Sequence, residues 1–449
     1  MTPPTPSSVT PLAGRPSTAL LIDKYELTMI RAALADGTAD RPCVFEVFAR
    51  RLPAGRRYGV VGGTGRLLDR LADFRFADEE IEALADSLDE RTLTWLRDFR
   101  FTGDVDGYPE GELFFPGSPV LTIRGGFAEC VVLETLVLSV LNHDSAIASA
   151  AARMTSAADG RRIIEMGSRR THEEAAVAAA RAAYLTGFDA TSNVEATRRH
   201  GVPSAGTSAH SFTLLHTGPE GPDEAAAFRS QVDTLGVDTT LLVDTYDITR
   251  GVETAIEVAG PGLGGVRIDS GDLGVLARQV RSQLDALGAR DTRIVVSGDL
   301  DEYAIAALRA EPVDVYGVGT RLVTGSGAPT AGMVYKLVEV DGIPVAKRSA
   351  RKESLPGAKR AIRLHRRSGT AVEEVLLPWS ASAPDEPGLE QRDLMIPLIR
   401  GGETEPGVPT LEQSRAHHAS VMVSLPWEGL ALSQGDPAIP VRVVPPSER

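Results

Sequence analysis

The stretch GGVRIDSGDL at residues 264–273 decides how this chain is read, because two segments of the same design follow it, RIVVSGDL at 293–300 and VDVYGVGTRL at 313–322. Each is a short β-branched run that stops at Asp, Ser, Gly or Thr. That is the pattern of a buried strand delivering polar groups to one end of a parallel sheet. Glycines there let backbone N–H groups approach an anion, and the carboxylates suit a cation or a ribose hydroxyl. Successive strand ends of this kind predict a sugar-phosphate site.

Upstream, RRIIEMG (161–167), GFDATSN (187–193), VPSAGTSAH (202–210) and TLLVDTYD (240–247) read as further strands. Helical patterns lie between them, among them HEEAAVAAARAAYL (172–185) and LGVLARQVRSQLDALG (273–288). Seven strands in βα units favour an α/β fold with an irregular, TIM-like barrel. A doubly wound sheet is the alternative, but VGGTGR at 61–66 lacks the GxGxxG spacing and strand–helix context. The barrel domain is expected over 129–346, behind an N-terminal α+β domain over 20–128. That domain reads as a helix at 23–37, a strand at 43–52, helical pattern over 77–99, and strands at 113–125 broken by Pro116 and Pro119. Residues 1–19 read as a disordered tail rich in Pro, Ser and Thr. From 347 to 449 the chain reads as strand-poor and turn-rich, and is expected to pack with the N-terminal domain.

The 449 residues are 42% apolar and 24% charged, an ordinary globular composition. A formal net charge of −14 with no compensating basic stripe argues against a nucleic-acid partner. Cys43 and Cys130 are the only cysteines, without CxxC or metal-ligand spacing, and read as scattered buried thiols. The N-terminus has no apolar signal-like core. The apolar run at 129–154 is interrupted by Glu134, Asn142, His143 and Asp144, which fits a buried helix and not a membrane span. A cytoplasmic location with no membrane partner is expected. Lysine is scarce and arginine plentiful, so anion recognition falls mostly to the Arg fork.

At barrel strand ends the chemistry collects: Glu165 to Arg170, Asp189 to Asn193, Thr207 to His210, Asp244 to Asp247, Arg267 to Asp272, Ser297 to Asp299, and Gly317 to Arg321. His210 stands out. A lone histidine is more often a hydrogen-bonded structural residue, but this one follows the small-residue run SAGTSA, which leaves room for a ligand. Its imidazole can attack a phosphoryl group near neutral pH. Arg267 and Asp269 alternate along a strand and so point the same way, either as a structural ion pair or as site residues. The pairs Gly271-Asp272 and Gly298-Asp299 are weak turn signals singly, and gain weight by recurring at neighbouring strand ends.

Several motifs, taken in order, resemble the nicotinate phosphoribosyltransferase family: DKYELTM (23–29), FEVFARRLPAGRRYGVVGG (45–63), EMGSRRTHEEAAVAAARAAYLTGFDATSNV (165–194), GTSAHSF (206–212), LLVDTYD (241–247), GVRIDSGDL (265–273), YGVGTRLVT (316–324), YKLVEVDG (335–342) and LPGAKR (355–360). The resemblance covers about residues 20–363 and is loose beyond. It implies a two-domain type II phosphoribosyltransferase whose sites are shared across a homodimer. The implied reaction condenses nicotinate with phosphoribosyl pyrophosphate to nicotinate mononucleotide and pyrophosphate. ATP hydrolysis drives it through a phosphohistidine, with Mg²⁺ on the phosphates.

By motif position the resemblance makes His210 the phosphorylated histidine. It gives Tyr25 the pyridine face, from a partner subunit, and sets Arg169, Ser192, Thr207 and Arg267 around nicotinate. Ser297, Gly298, Asp299, Gly319, Thr320 and Arg321 would cradle the phosphoribosyl group, and Asp269 would hold ribose or metal. Nicotinamide-specific relatives carry an Asp where Ser192 stands, and a carboxylate there would repel nicotinate. Departures are small: Lys24 and Ser168 fall at variable positions, and SGD at 297–299 stands where some members have SND. Competing expectations are a nicotinamide or quinolinate enzyme on the same scaffold, a non-catalytic binder, and a generic sugar-phosphate barrel. The last usually needs a strand-end Lys or Glu, and the lysines lie elsewhere.

Overall fold

A computed structural model describes residues 18–347 and 355–445. The first 17 residues of the expected tail lie outside the described residues, and Ala19 is already buried.

The three quoted segments form neighbouring parallel strands, Gly265–Ile268, Arg293–Ser297 and Val315–Val318. Thr240–Leu242 extends the sheet on one side, and Arg162–Glu165 and Ala190–Thr191 on the other, giving six strands. Val266, Ile268, Ile294, Val296, Tyr316 and Val318 are all buried, as a parallel sheet covered by helices requires. The sheet is a curled half-barrel. Among the described residues the ladder does not close. The expected strand at 202–210 is reduced to a single bridge between Thr191 and Ser204. Pro203 lacks the N–H a ladder needs, and Gly206 has no side chain to pack.

A second sheet of seven antiparallel strands draws on both ends of the chain. Pro42–Ala49 lies between Met333–Val340 and Leu121–Gly126, and Asp104–Gly107 lies between Leu121–Gly126 and Ile396–Arg400. Met333–Val340 therefore pairs outside the parallel sheet, although the sequence grouped it with the barrel. The expected helical stretch at 77–99 is two helices, Asp78–Leu84 and Glu90–Asp98.

The segment beyond 347 is not strand-poor. Lys359–Arg366, Ala371–Pro378, Leu389–Asp393 and Val441–Val443 make a four-stranded sheet. Charged residues on the buried face hid the alternation. Arg363, exposed by only 1%, donates to Glu112 and Glu374, both fully buried. Paired charges take core positions that pattern reading reserves for apolar side chains.

The helix Glu134–Ala158 lies between the two halves, contacting Thr64–Ala72, Glu173–Leu185 and Glu302–Ala307. The run Phe127–Ala158 is apolar enough to cross a membrane by composition, but 67% of its most apolar window is buried inside the protein, as in a core helix.

Candidate active site

The site is built where the parallel strands end. Arg267 projects from Gly265–Ile268 and is held on three sides. Its Nε donates to Ser297 Oγ (2.9 Å), Nη1 to Thr207 Oγ1 (3.1 Å) and Nη2 to Asp269 Oδ1 (2.8 Å). Ser297, at the end of the neighbouring strand, donates to the same Asp269 oxygen. Partial burial pushes the Asp269 carboxyl up, but the hydrogen bonds from Ser297 and Arg267 outweigh it and hold the group below the usual carboxylate range. Asp269 is therefore an anion at neutral pH.

The next strand end, Ser297-Gly298-Asp299, is a strained turn. Gly298 has φ +124° and Asp299 φ +44°. A Cβ on Gly298 would stand 2.8 Å from the Asp269 carbonyl oxygen, so only glycine lets these loops pack this closely. Beyond Val315–Val318 the chain turns at Gly319 into the short helix Thr320–Val323, with Arg321 exposed.

His210 is not at a strand end, as the sequence suggested. It opens the helix His210–Leu215, and Ala209 before it is extended. Its Nδ1 lies 3.1 Å from Thr245 Oγ1, and its Nε2 lies 3.8 Å from Asp244 Oδ1. The side chain of Asp244 is buried, and its Oδ2 accepts from the Asp269 backbone N–H (2.8 Å) and the Ser270 hydroxyl (3.0 Å). Its Oδ1 is buried, has no hydrogen-bond partner among the described residues, and faces the imidazole. Asp244 thus links the histidine to the Arg267–Asp269 pair. Sequence reading placed Asp244 at a strand end without a role, because a contact across 34 residues leaves no spacing signal.

Two more loops complete the mouth. Glu165 ends its strand fully buried, and beyond it Arg169 lies exposed in the turn Ser168–Arg170 with no partner among the described residues. Ser192, also exposed, donates its N–H to the Glu165 carbonyl (2.8 Å). The structure therefore gathers Thr207, Arg267, Asp269 and Ser297 by direct contact, joins His210 to them through Asp244, and places Arg169, Ser192, Asp299, Gly319, Thr320 and Arg321 on strand-end loops of the same sheet. Tyr25 is elsewhere, on the helix Lys24–Asp36 and 45% exposed. Partial burial and the carboxylates of Glu134 and Glu26 push its phenol up.

Among the described residues no three His, Cys, Asp or Glu side chains gather as a metal cage. Asp269 and Asp299 follow the ends of adjacent strands, Gly265–Ile268 and Arg293–Ser297.

With this geometry in view, the comparisons are specific. Residues 20–142 match the nicotinate phosphoribosyltransferase N-terminal domain model. The chain is 64% identical over 429 residues to nicotinate phosphoribosyltransferase pncB1 of Mycobacterium tuberculosis, covering 95% of both chains. The chain belongs to the nicotinate phosphoribosyltransferase family. A human member is 32% identical over 90% of both chains. The crystal structure of human nicotinic acid phosphoribosyltransferase superposes with TM-score 0.78 at 28% identity, covering 94% of this chain and 97% of the other. The crystal structure of a nicotinate-nucleotide pyrophosphorylase from Pyrococcus furiosus superposes with TM-score 0.75 at 25% identity, covering 93% and 99%. Family membership accounts for both halves of the molecule, since these matches run across the parallel and the antiparallel sheets.

Proposed function

We propose that this family member condenses nicotinate with 5-phosphoribosyl 1-pyrophosphate, releasing nicotinate mononucleotide and pyrophosphate for NAD synthesis, and that ATP hydrolysis is coupled to it through phosphorylation of His210. The observation that carries the reading is the convergence on Arg267: a nicotinate-side residue (Thr207), a phosphate-side residue (Ser297) and the ribose-side Asp269 all meet one guanidinium.

The pyridine nitrogen attacks C1 of the ribose as the bond to pyrophosphate loosens. That nitrogen carries no proton, so no general base is required, and alignment and charge neutralisation do the catalysis. Arg169 offers an unengaged fork to the nicotinate carboxylate, while Arg267, whose nitrogens already face protein partners, fixes the floor beneath the ring. Ser192 keeps the position near the carboxylate neutral, which favours the acid over the amide. Ser297, Gly298, Gly319 and Thr320 cradle the 5-phosphate with backbone N–H and hydroxyl groups, and Arg321 adds a positive charge at the rim. Mg²⁺ held by Asp269 and Asp299 would supply charge neutralisation to the pyrophosphate.

His210 is suited to phosphoryl transfer by exposure and by company. Its ring is 40% exposed, and the buried Asp244 carboxylate beside it stabilises the positive charge that builds on the imidazole. Tyr25 would stack on the pyridine ring of a second copy's site. In support, it is exposed on a helix whose main contacts are with Phe127–Val131 and Glu90–Asp98 in the antiparallel half, and Leu214 and Leu215 beside His210 expose 51% and 73% of their surface. The open sheet fits an irregular α/β barrel, with residues 202–210 as its degenerate stave and the antiparallel sheet as a second domain. We place the enzyme in the cytoplasm.

Mononucleotide synthesis measured for nicotinate and nicotinamide, each with and without ATP, tests the reading. Preference for nicotinate with stimulation by ATP is expected. Preference for nicotinamide sinks the substrate assignment, and indifference to ATP sinks the coupling.

A further inference from the structure

The carboxyl of Glu165 is completely buried, and among the described residues it has hydrogen-bond partners but no ion pair. A buried carboxyl without an ion pair is costly, so its place calls for a geometric reason. Both of its oxygens accept, and from different loops. Oε1 takes the N–H of Gly167, and Oε2 takes the hydroxyl of Thr191. The Thr191 hydroxyl oxygen in turn accepts the N–H of Asn193 (2.9 Å), and the Asn193 amide reaches back to Ser168 Oγ (2.9 Å). The Glu165 carbonyl meanwhile receives Ser192 N–H (2.8 Å), and Met166 N–H donates to Val318 O (2.7 Å). A Cβ on Gly167 would lie 2.3 Å from Val323 Cγ1 and 3.1 Å from Gly319 O, so this turn is wedged against the phosphate-side loop.

We infer that Glu165 is a positioning residue for substrate selection: it locks the loop bearing Arg169 to the loop bearing Ser192, setting the distance at which a ring carboxylate is read. This rests on the proposed role of those two loops in nicotinate binding. A glutamine keeps the acceptor for the Gly167 N–H but turns an N–H toward Thr191, so the hydrogen bond that the Thr191 hydroxyl donates is lost or reversed. The Thr191 hydroxyl oxygen already accepts the Asn193 N–H, so accepting a second N–H there would turn the hydroxyl proton away from Glu165, its present acceptor.

The test is Glu165→Gln in the full-length protein, with Thr191→Val as a second variant should the first fail to fold. Steady-state kinetics should show the nicotinate KM rising about tenfold, which is about 1.4 kcal/mol, with the KM for phosphoribosyl pyrophosphate and kcat within twofold. Glu165→Asp, which keeps two acceptors on a shorter arm, should restore part of the loss. Amide hydrogen exchange without substrates reads the lock separately, with faster exchange over 166–170 and 191–194 and no change at 269 and 297. Equal rises in both KM values, or unchanged kinetics in a folded variant, overturn the inference. If the unmodified protein shows no nicotinate-dependent pyrophosphate release, the functional reading has failed, and exchange alone decides the lock: faster exchange in the two loops supports it and unchanged exchange overturns it.

Discussion

Replacing Asp244 by Asn isolates what the buried carboxylate does for His210. Asn keeps an oxygen to accept the Asp269 N–H, so the turn survives, but removes the negative charge 3.8 Å from Nε2. Unit charges at that distance attract by about 4 kcal/mol at an effective dielectric near 20. The imidazole is 40% exposed, so solvent screens part of this. Taking half as surviving leaves about 2 kcal/mol, roughly thirtyfold in the rate of a step that charges the ring. Two assays together read the effect. Transfer of label from γ-labelled ATP to acid-labile protein phosphate should slow about thirtyfold. ATP-independent mononucleotide synthesis should fall less than about threefold, since ring attack on ribose does not pass through His210. Equal losses in the two assays, or phosphorylation at the unmodified rate, would refute the electrostatic argument.

Other perturbations have equally definite outcomes. Gly298→Ala forces a Cβ to 2.8 Å from the Asp269 carbonyl at φ +124°; strain of about 1–2 kcal/mol should raise the KM for phosphoribosyl pyrophosphate about tenfold and leave that for nicotinate less affected. Arg363→Leu leaves Glu112 and Glu374 buried without their shared guanidinium, and denaturant unfolding should show a loss of about 3–5 kcal/mol. Burial, opposed by hydrogen bonds from Thr135, pushes the Glu26 carboxyl up to about 7 from 4.5. The folded state then keeps a proton the unfolded chain has released, so stability falls as pH rises from about 4.5 to 7 and stays lost above. Glu26→Gln should therefore match the parent near pH 5 and exceed it by up to about 3 kcal/mol at pH 8, measured by chemical denaturation at both pH values.

The parallel half of the fold was legible because its strands are buried on both faces and read as β-branched runs with polar ends. The stretch 202–210 misled for the opposite reason: its small residues allow many conformations, so its extended course is imposed by Thr191 and the strand ends it borders. The C-terminal sheet was hidden by Lys359, Arg363 and Glu374, charges that occupy core positions because Lys359 and Arg363 find partners far away in sequence, Glu46 and Glu112, and Glu374 pairs with Arg363 across the strands. In the site, residue types at strand ends pointed to Arg267, Asp269 and Ser297. The functions of Asp244 and Glu165 depend on contacts between separate loops and could not be read from spacing.

The antiparallel sheet has a consequence for how the molecule is made. Val105 pairs with Ile399, and Val47 pairs with Tyr335. During synthesis the N-terminal strands can pair with one another through Leu121–Gly126, but their two outer edges leave the ribosome without partners, open to the wrong neighbours. The parallel sheet is contiguous from Arg162 to Val318 and needs nothing from either end to pair its strands. The catalytic half is therefore the part of the chain able to form first. The strands that frame it wait for the last quarter of the protein, and truncation near residue 390 would leave the edge at Asp104–Gly107 bare.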